Sequence, residues 1–163
     1  MTTSDIPCPP ETGICAHEKI NNQNYTNFSL RPIIPMAEHG RKFTLRNNHR
    51  ECIAEVKVDK GMVPQSAQEP RADYMLIRCL HNIVYIIELK GSDVAKACEQ
   101  IFSTINKLSD LLRATQIEAR IVCSRAPTPD LRSTHFIRLE KHCRHSGGKL
   151  RVETREYTET LSA

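Results

Sequence analysis

Asp73, Glu88 and Lys90 are the residues whose types and spacing could do chemistry. Asp73 opens a strand-like run, D-Y-M-L-I-R-C-L, which breaks at His81-Asn82. A second run, I-V-Y-I-I, ends in Glu88-Leu89-Lys90 and is followed by Gly91 and a helical pattern. Side chains alternate faces along a strand, so Glu88 and Lys90 point one way and Ile87 and Leu89 the other. If the Asp73 strand pairs antiparallel with its successor, the Asp73 carboxylate lies beside that of Glu88. Two anionic oxygen donors and an ammonium group around one spot would suit a hard divalent cation. A carboxylate at the end of a buried apolar strand also needs a cation, a metal or hydrogen bonds to offset its desolvation.

The elements that must position these groups follow from periodicity. The near-continuous apolar run of N-I-V-Y-I-I-E-L predicts a central strand covered on both faces. After it, Ser92 is the expected N-cap of a long helix, with apolar residues at 94, 95, 98, 101, 102, 105, 108, 111 and 112 at helical spacing. Gln100 and Lys96 lie one to two turns in, where they could lean over a metal and a phosphate. Thr104 and Lys107 read as a plain solvated face. The chain then returns through Q-I-E-A-R-I-V-C-S as a strand parallel to the Glu88 strand, a crossover of the α/β kind.

Upstream, R-K-F-T-L-R and E-C-I-A-E-V-K-V-D each alternate and read as the two strands of a hairpin joined by N-N-H-R. In the second of these, Cys52, Ala54, Val56 and Val58 share one face. Ile53, Glu55, Lys57 and Asp59 share the other. Glu55 and Asp59 are the nearby acids that could complete a metal shell, against the commoner reading of a solvated strand face. Residues 62–71, with Pro64 and Pro70, form a loop leading to Asp73. Downstream, R-A-P-T-P-D is a loop whose Asp130 could cap a helix reaching His142. Gly147-Gly148 end that helix, and K-L-R-V-E-T-R-E-Y supplies a last strand. Arg138, Lys141, Arg144 and Lys149, with His142 and His145, make the densest basic region, suited to a polyanion or simply to the helix dipole.

With Asp73, a break, Glu88-x-Lys90 at the end of an apolar strand, and a helix bearing Gln100, the chain resembles the PD-(D/E)xK nuclease superfamily. A-D-Y-M-L-I, Y-I-I-E-L-K-G and A-C-E-Q-I-F-S-T-I resemble small bacterial proteins assigned to that fold. The likeness spans roughly residues 43–157. Ala72 stands where proline often precedes the aspartate, and no clear glutamate-bearing helix comes before the first strand. The resemblance implies an α/β, restriction-endonuclease-like mixed central sheet flanked by helices, as one domain over 41–163 behind an irregular N-terminal arm over 1–40. It also implies a metal-dependent nuclease hydrolysing phosphodiester bonds. Asp73, Glu88 and the Leu89 backbone carbonyl would hold Mg²⁺ or Mn²⁺, Lys90 would position or activate water, and Gln100 would orient water or phosphate. The expected partner is nucleic acid, DNA in the first instance. A homodimer or partner protein is compatible with the family. The competing expectation is a non-catalytic nucleic-acid- or protein-binding module of the same fold, or a subunit of a defence complex.

Composition sets the outer bounds. The chain has 163 residues, is 39% hydrophobic and 26% charged, and carries a formal net charge of +4. That length fits one domain with a real core. No apolar run approaches the ~20 residues of a membrane span, and the N-terminus lacks signal-peptide order, so a cytoplasmic location is expected. The seven cysteines, at 8, 15, 52, 79, 98, 123 and 143, are odd in number and scattered. They read as free thiols rather than a disulfide framework. Cys8, Cys15 and His17, and likewise His142, Cys143 and His145, fall short of a zinc set because neither group closes a tetrahedron. Pro7, Pro9, Pro10, Pro32 and Pro35 with N-N-Q-N-Y-T-N break both helix and strand periods in the first forty residues.

Overall fold

A computed structural model describes residues 7–64, 68–89, 93–125 and 132–162. Its central element is a six-stranded mixed sheet. In spatial order this sheet runs β1 (Thr26–Ser29), β4 (Ile53–Lys57), β5 (Tyr74–Arg78), β6 (Ile83–Glu88), β7 (Gln116–Cys123) and β8 (Leu150–Thr154). Strands β1, β4, β5 and β6 pair antiparallel, whereas β6, β7 and β8 are parallel. The parallel steps are made by helices α1 (Val94–Lys107) and α3 (Thr134–His145), with the single turn α2 (Ser109–Leu112) after α1. A second sheet holds β2 (Ile33–Glu38), β3 (Arg41–Arg46) and β9 (Glu156–Thr160).

Alternation builds three layers from these elements. On one face of the six-stranded sheet, Ala54, Val56, Met75, Ile77, Val84, Ile86, Ala119 and Ile121 pack against Ala97, Cys98, Ile101 and Ile105 of α1 and Leu139 and Cys143 of α3. On the other, Ile53, Leu76, Tyr85, Ile87 and Val122 meet Ile34, Met36, Phe43 and Leu45 of the second sheet. Strand β6 is covered on both sides, as its apolar run predicts.

The two strands expected to form a hairpin, β3 and β4, do not pair. They belong to different sheets. Asn47, fully buried, is the reason: its side chain donates to Arg31 O and Glu51 O and accepts from Glu51 N. That closes the turn on itself and directs its two limbs to separate sheets. The single last strand expected at 149–157 is also two strands. Arg155, at φ 65°, takes the left-handed conformation, and its N–H bonds to Cys123 O at 2.8 Å. The chain thereby passes from the edge of one sheet to the edge of the other.

The N-terminal residues are not an irregular arm throughout. Residues 26–29 and 33–38 are strands, both of them at sheet edges, where Pro35 removes no central ladder bond. Ahead of them, Ile14, Cys15 and Ile20 are buried in the helix-side core. Ile14 N donates to Asn82 Oδ1 at 3.1 Å. This segment, which includes a 3-10 turn over Ile14–Ala16, adds apolar cover on the helix side of the sheet, with no α-helix before β4 among the described residues.

Disulfides hold it there, contrary to the free-thiol expectation: Cys8 is bonded to Cys52 and Cys15 to Cys79, across 44 and 64 residues. Bridges over loops of this length stabilise by about 2–4 kcal/mol each. Disulfides persist in oxidising surroundings and are rare in the cytoplasm, which counts against the cytoplasmic expectation. Cys98, Cys123 and Cys143 remain as buried thiols, and burial pushes the Cys143 thiol up to about 12. Unreduced protein in denaturant should therefore titrate with a thiol reagent as the three free cysteines, and all seven should react after reduction. Seven reactive thiols without reductant would remove both bridges.

Candidate metal centre at the end of the central strands

The β5–β6 ladder closes with Tyr74 opposite Ile87. Asp73 directly precedes β5 and Glu88 is the last residue of β6, so both acids stand at this end of the ladder. By alternation along β6, Glu88 lies on the face that carries Ile86, which is the α1 side. Asp73 N donates to Ile87 O at 3.2 Å. Its carboxylate Oδ2 accepts from Leu89 N at 2.9 Å, tying the acid of one strand to the backbone just past the acid of the other. Asp73 is 2% exposed and Glu88 and Leu89 0%. The second core closes over the opposite side of this strand end through Leu89 and Ile87.

Helix α1 fixes the approach to Asp73. Its N-cap is Asp93, which accepts from Lys96 N. Ser92, the expected cap, lies outside the described residues. Gln100 Nε2 donates to Arg71 O at 3.2 Å. Thr104 Oγ1 accepts from Ala72 N and donates to Gln100 O, both at 2.9 Å. Two side chains one turn apart thus clamp the backbone immediately before Asp73. Thr104 is 1% exposed, so the solvated role expected for it is not what the fold gives. Its hydroxyl replaces the strand bonds that the backbone of Ala72 lacks. Lys107, by contrast, is on the surface and pairs with Glu69.

The other acids near the site are engaged in ion pairs. Asp59 accepts from Arg71 Nε at 2.7 Å, and Glu55 from Arg31 at 2.7 Å. Tyr74, next to Asp73, donates to Glu38 at 3.2 Å. Its phenol is pushed up to about 12, first by burial and then by the negative charges of Glu38, Asp73 and Asp59. It remains a donor at neutral pH and cannot serve as a base there. Lys90, expected to complete the site, lies outside the described residues, as do Gly91, Asp130 and the rest of 126–131.

Asp73, Glu88 and the Leu89 carbonyl are the hard oxygen donors that Mg²⁺ or Mn²⁺ prefers, and Mg²⁺ is commonly held by one or two carboxylates with water in its remaining positions. The donor set fits such an ion. Among the described residues no group of three or more His, Cys, Asp or Glu could hold a metal. His142, Cys143 and His145 are no exception, since Cys143 is in the core and His142 stands edge-on to Phe102 at 5.8 Å. Cys8 and Cys15 are consumed by disulfides.

A second polar cluster was not anticipated. Arg120 on β7, 3% exposed, donates through Nε and Nη2 to both Glu159 oxygens at 3.0 Å, through Nη2 to Glu118 at 3.1 Å, and through Nη1 to Ala119 O and Lys149 O. Its guanidinium lies 5.2 Å from the Tyr85 ring centre. This cluster bolts β9 of the second sheet onto β7 of the first. The signal available in sequence is E-A-R inside an otherwise apolar strand, which demands partners. Comparison with known protein families, curated proteins and solved structures finds no match to this chain.

Proposed function

We propose that the chain is a metal-dependent nuclease that hydrolyses phosphodiester bonds, with DNA as the first substrate to test, and that its fold is a restriction-endonuclease-like member of the mixed α/β class. The observation that carries this reading is the hydrogen bond from Leu89 N to Asp73 Oδ2, which ties the acid just before β5 to the backbone one residue past Glu88 at the end of β6. The order of elements supports it. A β4–β5–β6 meander, helix α1 and the parallel strand β7 bring two acids to the carboxyl end of a central strand, where α/β sheets bind their ligands.

In this reading Asp73, Glu88 and the Leu89 carbonyl hold the ion, which when bound supplies Lewis-acid polarisation of the phosphate and a lowered water pKa. Lys90 orients the attacking water and offsets negative charge developing on phosphorus. Gln100 acts as a positioning residue, because its amide holds Arg71 O and so the strand that presents Asp73.

The test is incubation of the purified chain with plasmid, single-stranded DNA and RNA in Mg²⁺, Mn²⁺ or chelator. Cleavage in metal that chelator abolishes is the expected result. No cleavage of any substrate under either metal would overturn the reading. A second reading, a non-catalytic binding module of the same fold, is favoured by one observation: both carboxylates are almost wholly buried among the described residues. In that case they serve the fold, and nucleic-acid or partner binding persists unchanged in chelator.

A further inference from the structure

Charge is unevenly spread along this chain. Residues 132–155 hold seven Lys and Arg against two Glu, a surplus of +5, while the whole chain carries +4. The fold gathers that surplus on one edge. Helix α3 exposes Arg138, Lys141 and Arg144 at three-residue spacing, and β8, the last strand of the six-stranded sheet, exposes Arg151 with Lys149 before it and Arg155 after it. Between α3 and β8 runs a groove of about 400 Å³ lined by Arg144, Lys149 and Arg151, with the Glu140 carboxylate beside them. Glu140 is paired with Arg144, and Glu153 on β8 is the other acid of 132–155, well outnumbered by the six exposed cations. Among the described residues Arg138, Lys141, Lys149 and Arg151 enter no ion pair, and Arg138 lies over the Phe102 ring instead.

We infer that the α3–β8 edge is a docking face for a nucleic-acid phosphate backbone, engaged without metal and distinct from the Asp73–Glu88 centre. The inference rests on the nucleic-acid reading but not on cleavage. Charges on an edge strand also discourage strand pairing, but that purpose needs neither a single sign nor the three cations added by α3. An acidic protein partner would require an apolar anchor at the heart of its interface. Ile137 is the one large exposed hydrophobic residue of α3 and β8 among the described residues. Arg supplies four of the six cations, and its planar fork matches phosphate oxygens in pairs.

The test is fluorescence anisotropy of a labelled oligonucleotide of about 20 nucleotides, single-stranded and as duplex, in chelator, from ~50 to ~200 mM salt. The protein is the full chain, and two triple variants are compared after thermal melts show both folded. Arg144→Gln/Lys149→Gln/Arg151→Gln should weaken binding tenfold or more and lower the single-strand salt slope by about 2, the share of three phosphate contacts. Lys19→Gln/Arg46→Gln/Arg50→Gln removes the same charge from exposed positions that belong neither to the α3–β8 edge nor to the Asp73–Glu88 centre, and should change affinity less than about twofold, as non-contacting charges do under screening. Equal losses in the two triples, an unchanged affinity, or no binding at the lowest salt would overturn the inference. Competition by polyglutamate as effective as by the oligonucleotide would assign the face to an acidic protein and would overturn it too. Whether single strand or duplex binds more tightly identifies the form of the backbone. Because metal is absent throughout, a failed cleavage assay does not affect the outcome.

Discussion

Glu88→Gln protein, folded like the parent, is expected to lose metal-dependent cleavage by on the order of 10²–10³-fold or more, the range typical when one electrostatic contact to the reacting centre is removed. The substitution keeps size and shape at a position that is 0% exposed, so packing around β6 is retained. What changes is charge: the hydrogen-bonding amide cannot supply the anionic oxygen that a hard divalent ion selects. A thermal readout makes the result independent of turnover. Mg²⁺ or Mn²⁺ at about 100 times its dissociation constant should stabilise the parent by about 2.7 kcal/mol through linkage, and the variant should gain much less. If metal shifts the melting of neither protein, Asp73 and Glu88 are no metal centre and the structural-module reading takes over. If the variant cuts as well as the parent, cleavage arises elsewhere and the assignment of the centre fails.

The parts of this centre that were legible in the sequence are those governed by local period. Residue composition over D-Y-M-L-I and I-V-Y-I-I-E predicts two strands, and they pair antiparallel, which is the condition that the juxtaposition of Asp73 and Glu88 requires. The helix over 94–107 and the parallel strand after it followed from spacing alone. What period cannot reveal is partnership. Strands β3 and β4 alternate as well as any hairpin, and β4 presents the expected faces, yet a buried asparagine turns them into different sheets. A two-residue period fixes which side chains share a face but not which strand lies alongside. Cysteine pairing is likewise a matter of tertiary proximity: Cys8 and Cys15 meet Cys52 and Cys79 only because the first segment folds back over β4 and β5. The clamp of Gln100 and Thr104 on the backbone before Asp73 was invisible for the same reason, since a polar stripe on a helix looks identical whether it faces water or an incoming loop.

Removing the guanidinium of Arg120 should have the largest effect on stability. In Arg120→Met the volume is roughly kept, but Glu159 and Glu118 lose their shared cation and the Ala119 and Lys149 carbonyls lose a donor. Breaking a buried charge pair from one side costs about 3–5 kcal/mol, which for a chain of this size lowers the melting temperature by on the order of 10 °C. The pH dependence identifies the cause. Burial acts to raise the Glu159 pKa, but the hydrogen bond and charge of Arg120 outweigh it and hold the carboxyl below its ordinary 4.5. A depressed folded pKa means that the stabilisation is fully present above the unfolded value and is lost as pH falls through the folded one. The gap in melting temperature between parent and Arg120→Met should therefore be level from about pH 8 to about pH 5 and narrow in more acid solution. A gap that stays constant through the acid range would mean that the variant suffers from lost packing alone. A loss below about 1 kcal/mol, the scale of an exposed pair, would mean that β9 is held in place by the apolar packing of Tyr157 and Leu161 in the second core rather than by charge.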